Sequence, residues 1–494
     1  MSYMIEKNNI VKTLNSTVEE RSGTNMKASK SWHFKPYIRP TEKNMETSPF
    51  VTRLIPMEFG FRFDYVDNGC PHENHTLYVR EKNTDNDYLT YTIPYGTGVV
   101  EGLGELCEYE FYIKSSTGKS SKRRYVRTGK EIPSAVILDY IHPEEDAYDY
   151  TGRCPCSPSI VKLPSGNLFA SVGIFVDREE FPALPTITKT YRSKDDGATW
   201  EYAGDLLHCF NASLFVHCDK LYCLALNGDY TDLVISVSYD EGESWSAPVT
   251  ILYGESPHRW GWHTSSMYPV EINGRLWKAI EYGHVEIRST PRTGKEWMYA
   301  NKYYDLAHHI GVLSIDKSAD LMNPENWTMS ELFYPEDVDP RQCIEGNIVE
   351  APHGVVNLLR TMINGLSLEM TVDISNPERA MYNPRKITDF PLSAVSKFEI
   401  KKDNVSRKYI AIGNDCRYGR RVLVMAVSED MEKWRIAHVI EGAPDENNAF
   451  SYADFFFCGD DIYLLSRTGY NGSPDLHDTN MVTFHKVLNF RQYI

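Results

Sequence analysis

Ser193-Lys-Asp-Asp-Gly-Ala-Thr-Trp200 and Ser238-Tyr-Asp-Glu-Gly-Glu-Ser-Trp245 share one pattern, S-x-D-x-G-x-[TS]-W. The pattern has a local physical meaning. Gly supplies the positive φ that a tight hairpin needs. Ser and Asp side chains accept hydrogen bonds from the turn's own N–H groups. The Trp opens the next strand and offers a large apolar surface to a neighbouring sheet. These residues predict a folded corner, so Asp195 and Asp240 are read as structural rather than catalytic. Degenerate copies run from Ser314 to Asp320, ending at Trp327, and from Ser428 to Trp434.

Six hairpin-like turns stand between apolar runs around these corners. They are Pro164-Ser-Gly166, Cys218-Asp-Lys220, Asn273-Gly274, Pro352-His-Gly354, Lys402-Asp-Asn404 and Gly459-Asp-Asp461. Most intervals are between 50 and 57 residues, and the longer one between Asn273 and His353 holds an insertion. Such a period suits a four-stranded blade. The expected fold is all-β: a six-bladed β-propeller over residues 136–494, preceded by a small β-sandwich. Upstream, runs starting at Phe59, His75 and Tyr88 alternate with period two. Val99-Val-Glu-Gly-Leu103 and Tyr109-Glu-Phe-Tyr-Ile113 resemble a corner and strand of a fibronectin type III module. That resemblance implies a sandwich over residues 31–135. Residues 1–30 are polar and aperiodic and read as a flexible lead-in. The stretch from Asp139 to Asp146 reads as a boundary.

The bulk numbers exclude some function classes. A chain of 494 residues, 41% hydrophobic and 24% charged, fits a soluble globular protein of two or more domains. A net charge of −16 argues against wholesale binding to nucleic acid or an anionic membrane. No apolar run is long enough to span a bilayer, and the first residues lack the apolar segment of a signal peptide. The expected location is cytoplasmic as given, or secreted or periplasmic if a leader is missing. The 10 Cys are scattered, and Cys154-Pro-Cys156 is too tightly spaced for a zinc knuckle. Neither a metal nor an organic cofactor is expected, and His308-His309 lacks a third ligand.

In a propeller the innermost strands line a central pit. Counting back eight residues from the six turns gives Ser157, Asn211, Ser265, Glu345, Val395 and Tyr452. Counting forward seven from the fourth and sixth turns gives Arg360 and Arg467. His263, Lys397 and Asp454 lie nearby on the same strands. Trp260 and Trp262 are candidates for a sugar-stacking platform, and His142 and His477 join His263 as candidate histidines.

The repeated corner resembles the Asp box, or BNR repeat, of the sialidase superfamily. Glu345 to Arg360 resembles the sialidase stretch with a Glu, an apolar strand, a Gly turn and a returning Arg. Phe450-Ser-Tyr-Ala-Asp-Phe455 resembles the segment carrying a Tyr nucleophile. The resemblance implies that Glu345 activates Tyr452 and that Arg360 helps grip a carboxylate. It places a further triad arginine at Arg420 or Arg421, and Arg421 is carried forward. Where sialidases open their first blade with Arg-Ile-Pro, this chain reads Cys156-Ser-Pro158. The usual acid has only Asp177, Glu179 and Glu180 in its neighbourhood.

The expected function is therefore that of a divergent bacterial exo-sialidase-like glycoside hydrolase, acting on a terminal, possibly acidic sugar but not as a standard sialidase. Tyr452, Glu345 and His263 are the catalytic candidates. Arg360, Arg467, Arg421, Asn211, Asp454 and Trp262 are the substrate-binding candidates. One alternative is a polysaccharide lyase acting on a uronate-containing glycan, using His263, Tyr452, Asn211 and Arg360. Another is a non-catalytic carbohydrate-binding propeller. The expected partner is a glycan or oligosaccharide, with no nucleic acid or membrane; oligomeric state stays open.

Overall fold

Short runs of β-branched and aromatic residues, cut by Gly, Asn and Asp, favour strands throughout the chain. The computed structural model describes residues 48–144, 154–175, 186–228, 230–254, 260–284, 308–333, 343–379, 382–444 and 446–494. Nearly all regular structure within them is strand, with short 3-10 turns. No helix among them is long and apolar enough to cross a membrane. The lead-in at residues 1–30 and the acidic candidates Asp177, Glu179 and Glu180 lie outside the described residues.

Six antiparallel sheets form the blades of a propeller. Their innermost strands are Cys154–Lys162, Phe210–His217, Trp260–His263 with Val270–Ile272, Ile344–Ala351, Glu399–Lys402 and Ala449–Cys458. Each pairs with the next strand through one of the six turns found in the sequence. Side chains tie inner strands of different blades together. Leu214 N donates to Ser159 Oγ at 3.0 Å, Ile400 N to Asn347 Oδ1 at 3.0 Å, and Ile160 N to Asp454 Oδ2 at 2.7 Å.

The sixth blade differs from the other five. Its outermost strand is Ala135–Tyr140, which precedes blade one in the chain and pairs with Met481–Val487. The ring thus closes by pairing an early strand with the last one. This corrects the reading of Asp139 as part of a connecting boundary. Asp139 sits inside a strand, and its buried carboxylate binds Lys189 and accepts from Tyr191 Oη at 2.6 Å.

The repeated corners fold as their residues dictate. In the first, Ser193 Oγ accepts from Gly197 N at 2.8 Å, and Asp195 Oδ1 accepts from Thr199 N at 2.8 Å. The second repeats this, with Ser238 accepting from Gly242 N at 2.7 Å and Asp240 from Ser244 N at 2.8 Å. Gly197 has φ +87° and Gly242 has φ +88°, and a Cβ at either would strike Phe484 or Phe169 of the preceding blade. The same phenylalanines receive the corner tryptophans: Trp200 meets Phe484 with centroids 5.5 Å apart, and Trp245 meets Phe169 at 6.2 Å. The corner is therefore a clamp between blades. Its contribution is burial of a Trp against the neighbouring sheet, about 3–5 kcal/mol by the cost of truncation.

Upstream of the ring, Phe50–Met57, Gly60–Val66 and Thr97–Glu101 form one sheet, and Leu89–Ile93, His75–Glu81, Glu108–Lys114 and Arg124–Arg127 form a second. Phe61, Phe63 and Phe111 pack between them, with centroids 4.7–6.0 Å apart. The sandwich is anchored to the propeller by backbone and charge. Leu54 N donates to Asp139 Oδ1 at 3.0 Å, Arg53 Nη2 to Ile137 O at 3.1 Å, and Lys189 Nζ to Thr52 O at 3.1 Å.

Candidate functional site

Three inner strands break register at the same place, between Phe210 and Ser213, Ile344 and Asn347, and Ser451 and Asp454. At each break one residue takes a left-handed backbone: Asn211 with φ 49°, Glu345 with φ 55° and Tyr452 with φ 55°. Non-glycine residues in that region cost roughly 1–3 kcal/mol each, and a bulge re-aims a side chain. These are the three polar residues that the register count selected in blades two, four and six.

Arginines surround Tyr452. Arg360 Nη1 pairs with Glu345 Oε2 and also donates to Tyr452 Oη at 3.2 Å, so one nitrogen joins carboxylate and phenol. Arg360 Nε donates to Ala394 O at 2.9 Å. The guanidiniums of Arg420 and Arg467 each lie 5.2 Å from the Tyr452 ring centroid. Arg360, Arg420, Arg467 and Glu345 are 4%, 8%, 1% and 3% exposed, whereas Tyr452 is only half-buried. The cluster therefore holds three buried cations and one buried anion beneath an accessible phenol.

Two of those cations have no carboxylate partner among the described residues. Arg420 Nη1 donates to Ser451 Oγ at 3.5 Å, and its guanidinium also donates to Tyr452. Arg467 Nη2 meets the carbonyl and Nδ1 of His477, while its Nε is buried without a hydrogen bond. Burial, with Arg467 and Arg360 adding to it, lowers Arg420 to about 10. Arg360 is raised instead: burial opposes its charge, but Glu345 and Tyr452 outweigh it.

His477 and Asp478 border the same cluster from the loop that follows Asp461–Gly469. His477 Nδ1 lies 2.8 Å from Asp478 Oδ1 and 3.2 Å from Arg467 Nη2. Its ring packs 5.9 Å from Phe175, which also covers Arg467 at 5.1 Å. Burial and then the Arg467 charge pull His477 down to about 3. Burial also opposes the charge of Asp478, but the His477 contact and Arg467 hold it below its ordinary range. Asn211 Oδ1 takes the Cys156 thiol at 3.7 Å, and Cys154 Sγ reaches Asp478 Oδ1 at 3.7 Å. The place where a sialidase-like Arg is expected is thus filled by a thiol.

The remaining candidates divide. His263 Nδ1 lies 3.2 Å from Glu281 Oε2, and Glu281 Oε1 accepts from Gly346 N at 3.1 Å, next to Glu345. Tyr230 stacks on His263 at 5.2 Å and bonds His308 Nε2 at 2.8 Å. The structure thus places His263 on the Glu345 side of the cluster.

Three substrate-binding assignments require correction. Trp262 is core: its indole is buried against Tyr282 at 4.8 Å and donates to Tyr253 O at 3.1 Å, because alternation turns it away from His263. Arg420, not Arg421, faces Tyr452: both lie in the turn before the strand Leu423–Ser428, and it is the Arg420 guanidinium that meets the ring. Asp454 lies apart, in a buried network with Lys401 at 3.8 Å and with Glu399 and Lys397. Burial, then Glu399, raises Asp454 to about 7. His142 belongs to the sandwich–propeller junction, 5.6 Å from Tyr125.

Sequence reasoning missed Asp478 and Tyr230, which come from loops with no register of their own, and Glu281, which sits on the second strand of blade three, Arg275–His284. It also missed an apolar lip. Met362, Ile363 and Val395 are 37%, 44% and 38% exposed, and Arg360 Nη2 touches Met362 Sδ at 3.1 Å.

No protein-family model and no curated protein matches the chain. Several solved structures are similar to it. The α-L-arabinanase of Penicillium chrysogenum complexed with arabinobiose is 14% identical, covering 73% of this chain and 99% of that one, with a TM-score of 0.47. The NanB sialidase from Streptococcus pneumoniae is 10% identical over 90% of this chain and 93% of that one, with a TM-score of 0.48. A leech intramolecular trans-sialidase complexed with 2,7-anhydro-Neu5Ac is 10% identical over 90% and 92%, again with a TM-score of 0.48.

Proposed function

We propose that the chain is a glycoside hydrolase of the sialidase-like kind that removes a terminal acidic sugar from a glycan. One observation carries this reading: Arg360, Arg420 and Arg467 gather around a half-buried Tyr452, with Glu345 as their only paired carboxylate among the described residues. Buried cations without counter-ions are expensive unless a ligand supplies the charge. A sugar carboxylate does so, and guanidiniums suit it through paired N–H donors.

In this mechanism the sugar's carboxylate settles on Arg420 and Arg467. Its anomeric carbon then faces Tyr452. The phenol oxygen attacks, and its proton passes to Glu345, which Arg360 holds beside it. A phenol meets an anionic sugar with less repulsion than a carboxylate nucleophile would. Water then releases the sugar. Met362, Ile363 and Val395 offer the apolar side of the pit to a ring face or acyl group.

The lyase reading draws on the pairing of Tyr230 with His263 and Glu281, which offers His/Tyr proton chemistry. We further propose a division into a fibronectin type III-like module at 31–135 and a propeller at 136–494, with Asp-box corners. Support comes from the three- and four-stranded sheets upstream and the hydrogen-bonded corners at Asp195 and Asp240. The test is cleavage of matched acidic and neutral aryl glycosides. Hydrolysis of an acidic member, lost in Arg420→Met, is expected. Turnover of neutral members alone, or release of an unsaturated uronate with new near-UV absorbance, would overturn the hydrolase reading.

A further inference from the structure

We infer that His477 is the proton carrier to the glycosidic oxygen, and that an anionic sugar seated on Arg467 switches it into its protonated form. The inference rests on the acidic-sugar reading above and adds the group that reading lacks.

The geometry at Nδ1 is contradictory. Asp478 Oδ1 is 2.8 Å away and calls for an N–H, while Arg467 Nη2 is 3.2 Å away and calls for a lone pair. One nitrogen cannot satisfy both. The ring therefore has two alternative arrangements. In one, Nδ1 accepts from Arg467 and Asp478 is repelled. In the other, Nδ1–H donates to Asp478, in the manner of a carboxylate orienting a histidine. Among the described residues Nε2 makes no hydrogen bond, and the ring lies against Phe175, beside the guanidinium that borders Tyr452.

The charges facing His477 decide between the two. Arg467 and Arg420 are positive, and Asp478 is negative; Asp475 Oδ1 already accepts from His477 N and Asp478 N, and Cys154 binds Asp478. Without a ligand burial, and after it Arg467 and Arg420, outweigh Asp478 and hold the imidazole neutral. A bound carboxylate neutralises Arg467. The ligand's charge then joins that of Asp478 against burial, and the imidazolium with both nitrogens protonated becomes the stable form.

The step balances. As the bond from the anomeric carbon to the glycosidic oxygen breaks, its electron pair stays on that oxygen, which takes the Nε2 proton of His477. Tyr452 forms its bond to the carbon and gives its phenolic proton to Glu345. In the second step water bonds to the carbon and returns a proton to Nε2. The Tyr452–carbon bond breaks, and the phenolate recovers its proton from Glu345.

The test is proton-linked calorimetry near neutral pH with free D-glucuronate and free N-acetylneuraminate as probes, in buffers of differing ionisation enthalpy. Uptake of close to one proton per bound probe is expected in the native protein, and close to none in His477→Asn with binding retained. Asp478→Asn is expected to reduce uptake as well. A packing role for His477 would change affinity but not uptake. Binding with no uptake in the native protein, or uptake unchanged in His477→Asn, overturns the inference while the acidic-sugar reading stands. Absence of binding by both probes, with turnover confined to neutral glycosides, overturns both.

Discussion

Replacing Glu345 by Gln keeps its shape and removes the one carboxylate that, among the described residues, pairs directly with the three buried guanidiniums. Glu345 is 3% exposed and pairs directly with Arg360. Breaking one side of such a buried pair costs about 3–5 kcal/mol, because the remaining charge keeps its desolvation penalty. Arg360 retains only Ala394 O at 2.9 Å and Tyr452 Oη at 3.2 Å as oxygen acceptors, beside the neutral amide. For 494 residues, an unfolding entropy near 2 cal/mol/K per residue converts each kcal/mol into roughly 1 °C of Tm. Glu345→Gln should therefore lower the propeller's calorimetric Tm by roughly 3–5 °C. Arg360→Met in the Glu345→Gln background removes the orphaned cation and should recover most of that loss, since an apolar replacement of a buried pair is often close to neutral. The assay is scanning calorimetry of both single variants and the double variant. Additive losses, or a Glu345→Gln Tm equal to the parent's, would refute the view that Glu345 holds this cluster together.

Four further outcomes follow from the same geometry. Tyr452→Phe should reduce turnover of an acidic glycoside by roughly 10³–10⁶-fold with its Tm intact, as measured by aryl-glycoside release. Arg420→Met should cost about 2–5 kcal/mol of acidic-sugar recognition, read as a raised KM; in the parent, binding should fade as pH rises through about 10, where Arg420 loses its proton. Gly197→Ala should destabilise by at least about 1–3 kcal/mol, since φ +87° is strained for Ala and its Cβ meets Phe484; denaturant unfolding checks this. Burial depresses His485 to about 3, so the unfolded chain binds more protons between that value and about 6.5. Stability is thus complete above the unfolded value and falls by up to about 1.4 kcal/mol per pH unit as acid is added, and His485→Gln should flatten that limb in pH-dependent melts.

Local turn chemistry made the propeller legible. The Asp195 and Asp240 corners and the six hairpins are short-range features, so their residues announce them in sequence. Register then carried the reading inward to Asn211, Glu345 and Tyr452, because the repeat preserves the distance from turn to bulge. It failed where neighbours alternate or where contacts are remote. Arg420 and Arg421 are adjacent in the turn before Leu423–Ser428, and only the folded turn decides which of them meets Tyr452. Trp262 read as exposed because no pattern shows Tyr282 packing on it. Asp454 fell two residues beyond the bulge and turned into the lysine network. His477 and Asp478 come from a loop without repeat spacing, and only folding brings them to Arg467. Asp139 and Tyr140, at the end of the strand Ala135–Tyr140, passed for a boundary because that strand's partner, Met481–Val487, lies at the other end of the chain.

In the proposed mechanism Tyr452 attacks an acidic sugar held by the arginine cluster. The most direct test is mass spectrometry after incubation with fluorinated acidic glycosyl fluorides, which slow release of a glycosyl–enzyme species. A single adduct on the peptide containing Tyr452, absent from Tyr452→Phe and diminished in Arg420→Met, is expected. Turnover of the same probes with the adduct on another residue, or undiminished turnover by Tyr452→Phe, would contradict it.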